Sequence, residues 1–513
     1  MAYPYRNFYE FLTARVEEHR RKTALFVDEE KITYDKVLER VERLAAFFTE
    51  KGVGAGEKVA LFLRNSPEFI YTVFAVSKIG AIVVPVNTFL KEEELSYILE
   101  DSESTVIVAS AEYKEVVENS SVPEVCRLLL WEGGIPATEE KYVGFENALA
   151  STADTEYRGR GLEDTAVLIY TSGTTGKPKG AMLSNKNLLS NIEFARKLIE
   201  VTPKDRVIVF LPMFHSFTFT VGVIMPLYVG GSMVIIKSLQ PFSNIFKQTL
   251  TRRVTLFFGI PSVYNALAKA KLPWYFMWFN AIRVFISGAA ALQPKTLDAM
   301  AKKFKRAKLL EGYGLSEASP VVCVNTLKKQ KAGSVGTAEY DYKIKIVDEE
   351  MNTLSPGEVG NIIVKGDHVM QGYFNRPEAT GETIVNGWLL TGDMGYLDDE
   401  GFLFIVDRKK DLIISKGINI YPREIEEVID RFEGIAVSAV IGARDEKSGE
   451  IPVAYIELEG EREVYDEAGL RAHMKKHLAN YKIPRQIHVT EALPKNVTGK
   501  VLKRVLKENL KGS

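Results

Sequence analysis

The stretch Tyr170-Thr-Ser-Gly-Thr-Thr-Gly-Lys-Pro-Lys-Gly180 constrains this chain more than any other. Ahead of it, Thr165-Ala-Val-Leu-Ile-Tyr-Thr171 is an apolar run of strand length. Behind it a helix is expected from Asn185, opened by a good cap residue. Three glycines, the hydroxyls of Thr171, Ser172, Thr174 and Thr175, and the ammonium groups of Lys177 and Lys179 crowd the turn between. Glycines let backbone N–H groups converge on an anion, and a polyphosphate needs such donors together with positive charge. The spacing is not that of a Walker A loop, G-x-x-x-x-G-K-[ST]. Only Thr174 and Thr175 separate Gly173 from Gly176, and Pro178 follows Lys177. A phosphate-binding loop of another kind is therefore expected.

The flanking sequence says what the loop is mounted on. Val37, Leu38, Val41, Leu44, Ala45 and Phe48 recur at helical spacing, and Gly52 ends the run. Strands are then expected at 58–63, 82–86 and 105–109, with helices at 67–78 and 91–101. After the loop, strands at 206–211, 254–258, 283–287 and 308–311 alternate with helices such as 242–252 and 294–304. Repeated alternation of this kind means an α/β architecture with largely parallel sheets. From 333 to 404 short strands and turns replace the helical period, which indicates a β-rich, barrel-like subdomain. A compact α+β unit follows. The expected organisation is an N-terminal domain over 1–409, containing that subdomain, and a small mobile C-terminal domain over 410–513.

Bulk properties exclude several classes. A net charge of -1 gives no reason to expect nucleic acid or a polybasic membrane anchor. Two cysteines, Cys126 and Cys323, make neither a disulfide framework nor a metal site, so a reducing, cytoplasmic setting is expected. The first residues lack the apolar core of a signal peptide. Residues 216–236 approach spanning length, but Gly222, Pro226 and Gly230-Gly231 interrupt them. They read as a buried helix over 217–228, a turn and a buried strand over 233–237. One aromatic cluster, Leu272-Pro-Trp-Tyr-Phe-Met-Trp-Phe279, is open to three readings: a tunnel mouth, a membrane-touching patch, or a packing or oligomer contact such as a homodimer.

The segment 170–180 closely resembles the nucleotide signature of the adenylate-forming superfamily: acyl- and aryl-CoA synthetases, adenylation domains of nonribosomal peptide synthetases, and beetle luciferases. Further segments resemble the superfamily's other motifs, in its order. Phe210-Leu-Pro-Met-Phe-His-Ser-Phe217 brings His215, which the resemblance assigns to the carboxylate end of the acyl pocket. Ser287-Gly-Ala-Ala-Ala-Leu292 supplies Gly288, Ala289 and Ala290 between adenine and acyl pocket, with Ala289 where many members carry glycine. Glu311-Gly-Tyr-Gly-Leu-Ser-Glu317 places Glu311, Gly312, Tyr313, Gly314 and Ser316 around adenine. In it Tyr313 stacks on the base, and Glu317 with Thr171 takes Mg²⁺.

Toward the C-terminus, Gly387-Trp-Leu-Leu-Thr-Gly-Asp393 gives Asp393 for the ribose hydroxyls. Residues 406–426 resemble the hinge and tunnel region. There Arg408 meets the ribose, Lys410 is the hinge, and Ser415, Lys416 and Gly417 line a tunnel for the pantetheine arm of coenzyme A. Pro494-Lys-Asn-Val-Thr-Gly-Lys500 supplies Lys500 as the catalytic lysine.

The resemblance covers essentially the whole chain and is nearest to bacterial medium- and long-chain fatty-acyl-CoA ligases. It implies ATP, a carboxylic acid and coenzyme A as substrates and Mg²⁺ as cofactor. An aryl-CoA ligase, or a synthetase loading acyl carrier protein, is the alternative of the same class. A non-catalytic nucleotide- or acyl-binding regulator is the alternative from another class, and the joint presence of Lys500, Glu317 and Asp393 speaks against it.

Overall fold

The computed structural model describes residues 3–134, 141–152, 155–171, 177–238, 241–288, 292–415, 418–445, 449–459, 465–496 and 499–511. Four sheets organise them. In the first, of eight strands, Arg206–Val209, Leu256–Gly259, Val284–Ser287 and Lys308–Gly314 lie side by side and parallel. Their carboxyl ends therefore open along one edge, and residues 210–217, Gly288 and the turn after Gly314 all leave from it. A second eight-stranded sheet holds Thr165–Thr171 beside Ile82–Pro85 in parallel. The α/β expectation holds, with a large N-terminal part and a small C-terminal one.

Two local features differ from the sequence reading. Lys179–Ser184 is a strand, antiparallel to Thr165–Thr171, so the loop closes a hairpin before the helix begins. Ala181 and Leu183 are its fully buried apolar side chains and Met182 packs half-buried on the other face, a run too short and mixed to stand out in the sequence. The helix Asn185–Leu198 is capped by Ser184. Its Oγ accepts from the Asn187 N–H (3.1 Å), and the Asn187 side chain accepts in return from the Ser184 N–H (2.8 Å).

The apolar run over 217–228 is helical. Thr218–Ile224 forms wide π-type turns that continue into Met225–Tyr228, and every side chain is buried. Phe219 meets the rings of Phe8 and Phe69. Burying such a ring contributes about 1.5–3 kcal/mol, which explains an apolar segment in mid-chain without a membrane. Among the described residues no helix is long and apolar enough to cross one.

The third sheet is antiparallel and built from short strands between Lys343 and Arg408. Beyond it, the fourth sheet packs the helices Pro422–Ile429 and Glu467–His477 around Ile413, Ile425, Ile429, Val440, Ile456 and Leu470. That core is separate from the main one. A unit with its own core keeps its shape when it shifts against a neighbour.

Candidate active site at the meeting of four sheets

Glu317 is where the first two sheets join. Its Oε1 accepts from the Thr171 hydroxyl, at the end of the second sheet's strand, and from the Tyr373 hydroxyl, each at 3.0 Å. The carboxylate stands in the turn Ser316–Ala318. At Gly314 a Cβ would lie 1.9 Å from the Pro320 carbonyl oxygen, so only glycine lets the chain double back there. Asn191 then pins the turn from the helix behind it. It donates to the carbonyls of Ala318 (3.2 Å) and Val321 (2.7 Å) and accepts from the Val321 N–H (3.1 Å). Ser316 and Ser216 share a hydroxyl contact of 2.9 Å. Two cations stand near: Lys179 Nζ lies 5.4 Å from the centre of the Tyr373 ring, and Lys177 Nζ lies 5.0 Å from that of Tyr97.

The third sheet supplies a second carboxylate. Asp393 is buried, accepts from the Tyr313 hydroxyl at 2.6 Å and lies 3.3 Å from the Nε of Arg408, its cross-strand partner. Glu311, on the same strand as Tyr313, is buried as well. Burial pushes its carboxyl up to about 7, against a 3.3 Å bond from the Leu292 N–H. Gly312 packs against Val324 on the neighbouring strand. Gly288 faces the Phe217 ring, and a Cβ there would stand 3.5 Å from it. Burial holds His215 at about 4, so the imidazole is uncharged at neutral pH; its Nδ1 accepts weakly from the Phe217 N–H (3.4 Å).

The fourth sheet's unit delivers Lys500. Its loop is closed by two 2.9 Å bonds, Asn496 N–H to the Lys500 carbonyl and Lys500 N–H to the Asn496 side chain. Gly499, at φ +73, leans on Ile260 and Ser262 of the first sheet's side. The Lys500 ammonium is lowered to about 8, first by burial and then by repulsion from Arg408 and Lys410, while Asp393 and Asp411 oppose the shift. Lys500 thus stands in the field of the Asp393–Arg408 pair.

The reverse face of that unit is elsewhere. Ser415 is buried, while Ile414 (52%) and Ile418 (46%) are exposed to solvent. Lys410 sits in the short turn Lys409–Asp411 between the third and fourth sheets. Among the described residues the unit meets the rest through Gln293 to Asp430 (2.8 Å), Lys295 to the Asp430 carbonyl (2.9 Å), the exposed pair Lys269–Glu459 (2.6 Å), and Arg423, whose N–H donates to Asp407 and whose guanidinium donates to the Ile405 carbonyl (each 2.8 Å).

Of the residues singled out in the sequence, the structure gathers Thr171, Lys179, Tyr313, Ser316, Glu317, Asp393, Arg408 and Lys500 around one region. Ser172, Gly173, Thr174, Thr175, Gly176, Ala289, Ala290, Lys416 and Gly417 lie outside the described residues. Tyr373 and Ser216 were missed. Tyr373 rides on a two-residue strand that pairs with Lys179–Ser184, a long-range pairing that leaves no periodic trace in the sequence.

Residues 12–374 match the family described as AMP-binding enzyme, and residues 424–500 match the AMP-binding enzyme C-terminal domain. The chain belongs to the AMP-binding enzyme family. This AMP-binding enzyme is 35% identical over 98% of its length to a long-chain-fatty-acid–CoA ligase of Bacillus subtilis, covering 95% of that protein. Its fold is similar to an anthranilate CoA ligase solved with anthranoyl-AMP (27% identity, TM-score 0.91, 99% and 98% of the two chains). It is similar again to ATP-bound MatB from Rhodopseudomonas palustris (30% identity, TM-score 0.90, 98% and 99%). Against the apo structure of that same MatB the TM-score is 0.79.

Proposed function

We propose that this AMP-binding enzyme is an AMP-forming acid–thiol ligase. It activates a medium- to long-chain fatty acid as an acyl-adenylate and then passes the acyl group to coenzyme A. The observation that carries the reading is the placement of Lys500, from the C-terminal unit, beside the Asp393–Arg408 pair of the third sheet. The closer likeness to the ATP-bound than to the apo form of MatB supports the same posture.

In the first step the acid's carboxylate oxygen attacks the α-phosphorus of ATP, and the bond to the β-phosphate oxygen breaks, releasing pyrophosphate. Two anions must meet, so the barrier is largely electrostatic. Lys500 brings a point charge to the oxygens where negative charge grows, and Lys179, over the Tyr373 ring beside Glu317, with Lys177 adds charge toward the polyphosphate. Asp393 accepts the ribose hydroxyls. His215, being neutral, closes the carboxylate end of the acyl pocket as a polar wall and not as an acid or base.

Glu317 fits Mg²⁺ as one carboxylate of a site completed by phosphate oxygens and water. Two hydroxyls steady its Oε1, the other oxygen makes no hydrogen bond among the described residues, and Thr171 stands alongside. Bound there, the ion would neutralise phosphate charge.

In the second step the C-terminal unit turns about Lys410, withdrawing Lys500 and presenting the Ser415–Gly417 face. The thiolate of coenzyme A attacks the acyl carbonyl carbon, and AMP leaves with its electron pair. The unit's separate core, which lets it move as a body, favours such a swing.

The test is AMP release from ATP with coenzyme A across straight-chain acids, with ferulate and benzoate as aryl acids. Each buried methylene contributes about 0.8 kcal/mol, so kcat/KM should climb about fourfold per methylene until the pocket is filled. A preference for the aryl acids would make this an aryl-CoA ligase. Turnover only with acyl carrier protein would replace the acceptor.

A further inference from the structure

We propose that the face built on the helix Trp274–Phe279 is a docking surface for an anionic lipid bilayer. Four large apolar side chains of this one short helix stand in solvent: Trp274 and Trp278 at 72% exposure, Phe279 at 68% and Tyr275 at 47%. Their spacing, i and i+4 taken twice, puts them on one side, while Phe276 turns inward against Phe246. Among the described residues nothing covers this aromatic side, and the charge carried near it in the chain selects the partner.

Residues 263–310 carry nine Lys or Arg and a single acid, Asp298, in a chain whose net charge is -1. Arg283 is used by Asp205, and Lys269 and Lys295 by the C-terminal unit. Lys271, Lys302, Lys305 and Lys308 are exposed and have no ion pair among the described residues. The cationic stretch is physically tied to the aromatic helix. Arg306 makes the tie, donating to the carbonyls of Met277 (2.9 Å) and Trp278 (2.7 Å), while Lys303 donates to those of Leu267 (2.7 Å) and Ala268 (3.2 Å) in the preceding helix Pro261–Lys269.

Aromatic rings that can enter the headgroup region, carried by a stretch rich in exposed lysine and tied to it through Arg306, match a negatively charged membrane surface. A second copy of this chain is the poorer partner, because a twofold contact would set the same lysines against one another. The placement has a use. Phe276 shares a cluster with Phe210 and Leu211, which lead directly into the His215 segment, so the docked face and the acyl side of the site rest on one apolar body.

The inference is independent of which acid the site accepts, since binding is read without turnover. The full-length chain is sedimented with vesicles of phosphatidylcholine alone and of phosphatidylcholine mixed with phosphatidylglycerol. Trp emission is followed with brominated lipid, which is informative because two of the four tryptophans are in the patch. Binding and quenching are expected only with the anionic vesicles. Trp274→Ser/Trp278→Ser and, separately, Lys302→Glu/Lys305→Glu should each lower the partition at least ten-fold while octanoate turnover in solution stays unchanged. Should the tryptophan variant fold poorly, the charge-reversal pair decides alone. Absence of vesicle binding, equal binding to both vesicles, or a wild-type dimer that the tryptophan variant makes monomeric would overturn the proposal.

Discussion

Replacing Lys500 with alanine is expected to slow acyl-adenylate formation by about 10²–10³-fold, the usual cost of removing one preorganised electrostatic contact to a developing oxyanion. Thioester formation from a supplied acyl-adenylate should be nearly unchanged, because the residue would have left the site by then. Pyrophosphate release measures the first half-reaction, and acyl-CoA formed from added acyl-adenylate measures the second. Equal loss of both would end the division of labour between the two faces of the C-terminal unit. Gly417→Leu should show the reverse pattern, intact adenylation and blocked thioester formation.

The same lysine predicts a pH signature. In the free enzyme it titrates at about 8, lowered chiefly by burial and further by Arg408, so the ammonium is full below that pH and lost above it. kcat/KM for ATP, which reports the free enzyme, should therefore fall as pH rises through about 8. Bound polyphosphate favours the charged form, so the matching limb in kcat should lie at higher pH. Lys500→Arg keeps its charge throughout this range and should lose the limb. A limb that persists in the arginine variant would assign the titration to another group.

What the sequence made legible divides along a physical line. Helices and strands written in local periodicity, such as Pro67–Ile79 with its proline start, were readable because side-chain spacing and burial coincide. Candidate site residues in glycine-marked turns, such as Glu317 and Lys500, could be named only by resemblance; read alone, each is an ordinary charge. The strand Lys179–Ser184 was not readable, since half of it is polar and its partners lie on either side of a loop and near Tyr373. Tyr373 and Ser216 became visible only when the sheets brought distant residues within hydrogen-bond reach. The state of a side chain also needed the structure: His215, which the resemblance assigns to the carboxylate end of the acyl pocket, is held neutral by its burial.

Glu317 gives the second large effect, and its neighbours allow a clean separation of charge from scaffold. Glu317→Gln keeps a carbonyl oxygen where the Thr171 and Tyr373 hydroxyls donate, so the turn Ser316–Ala318, pinned independently by Asn191, should remain in place. What is lost is the negative charge that a hard cation seeks. The Mg²⁺ concentration for half-maximal pyrophosphate release should rise about ten-fold or more, with kcat falling at saturating ATP. Tyr373→Phe does the opposite, sparing the carboxylate and deleting one neutral hydrogen bond, a change of about 1 kcal/mol. It should leave the Mg²⁺ dependence almost unaltered and lower the melting temperature slightly. If instead the glutamine variant kept a normal Mg²⁺ response and only melted earlier, Glu317 would be a structural tie between two sheets. The metal would then have to be held by phosphate oxygens and some other carboxylate.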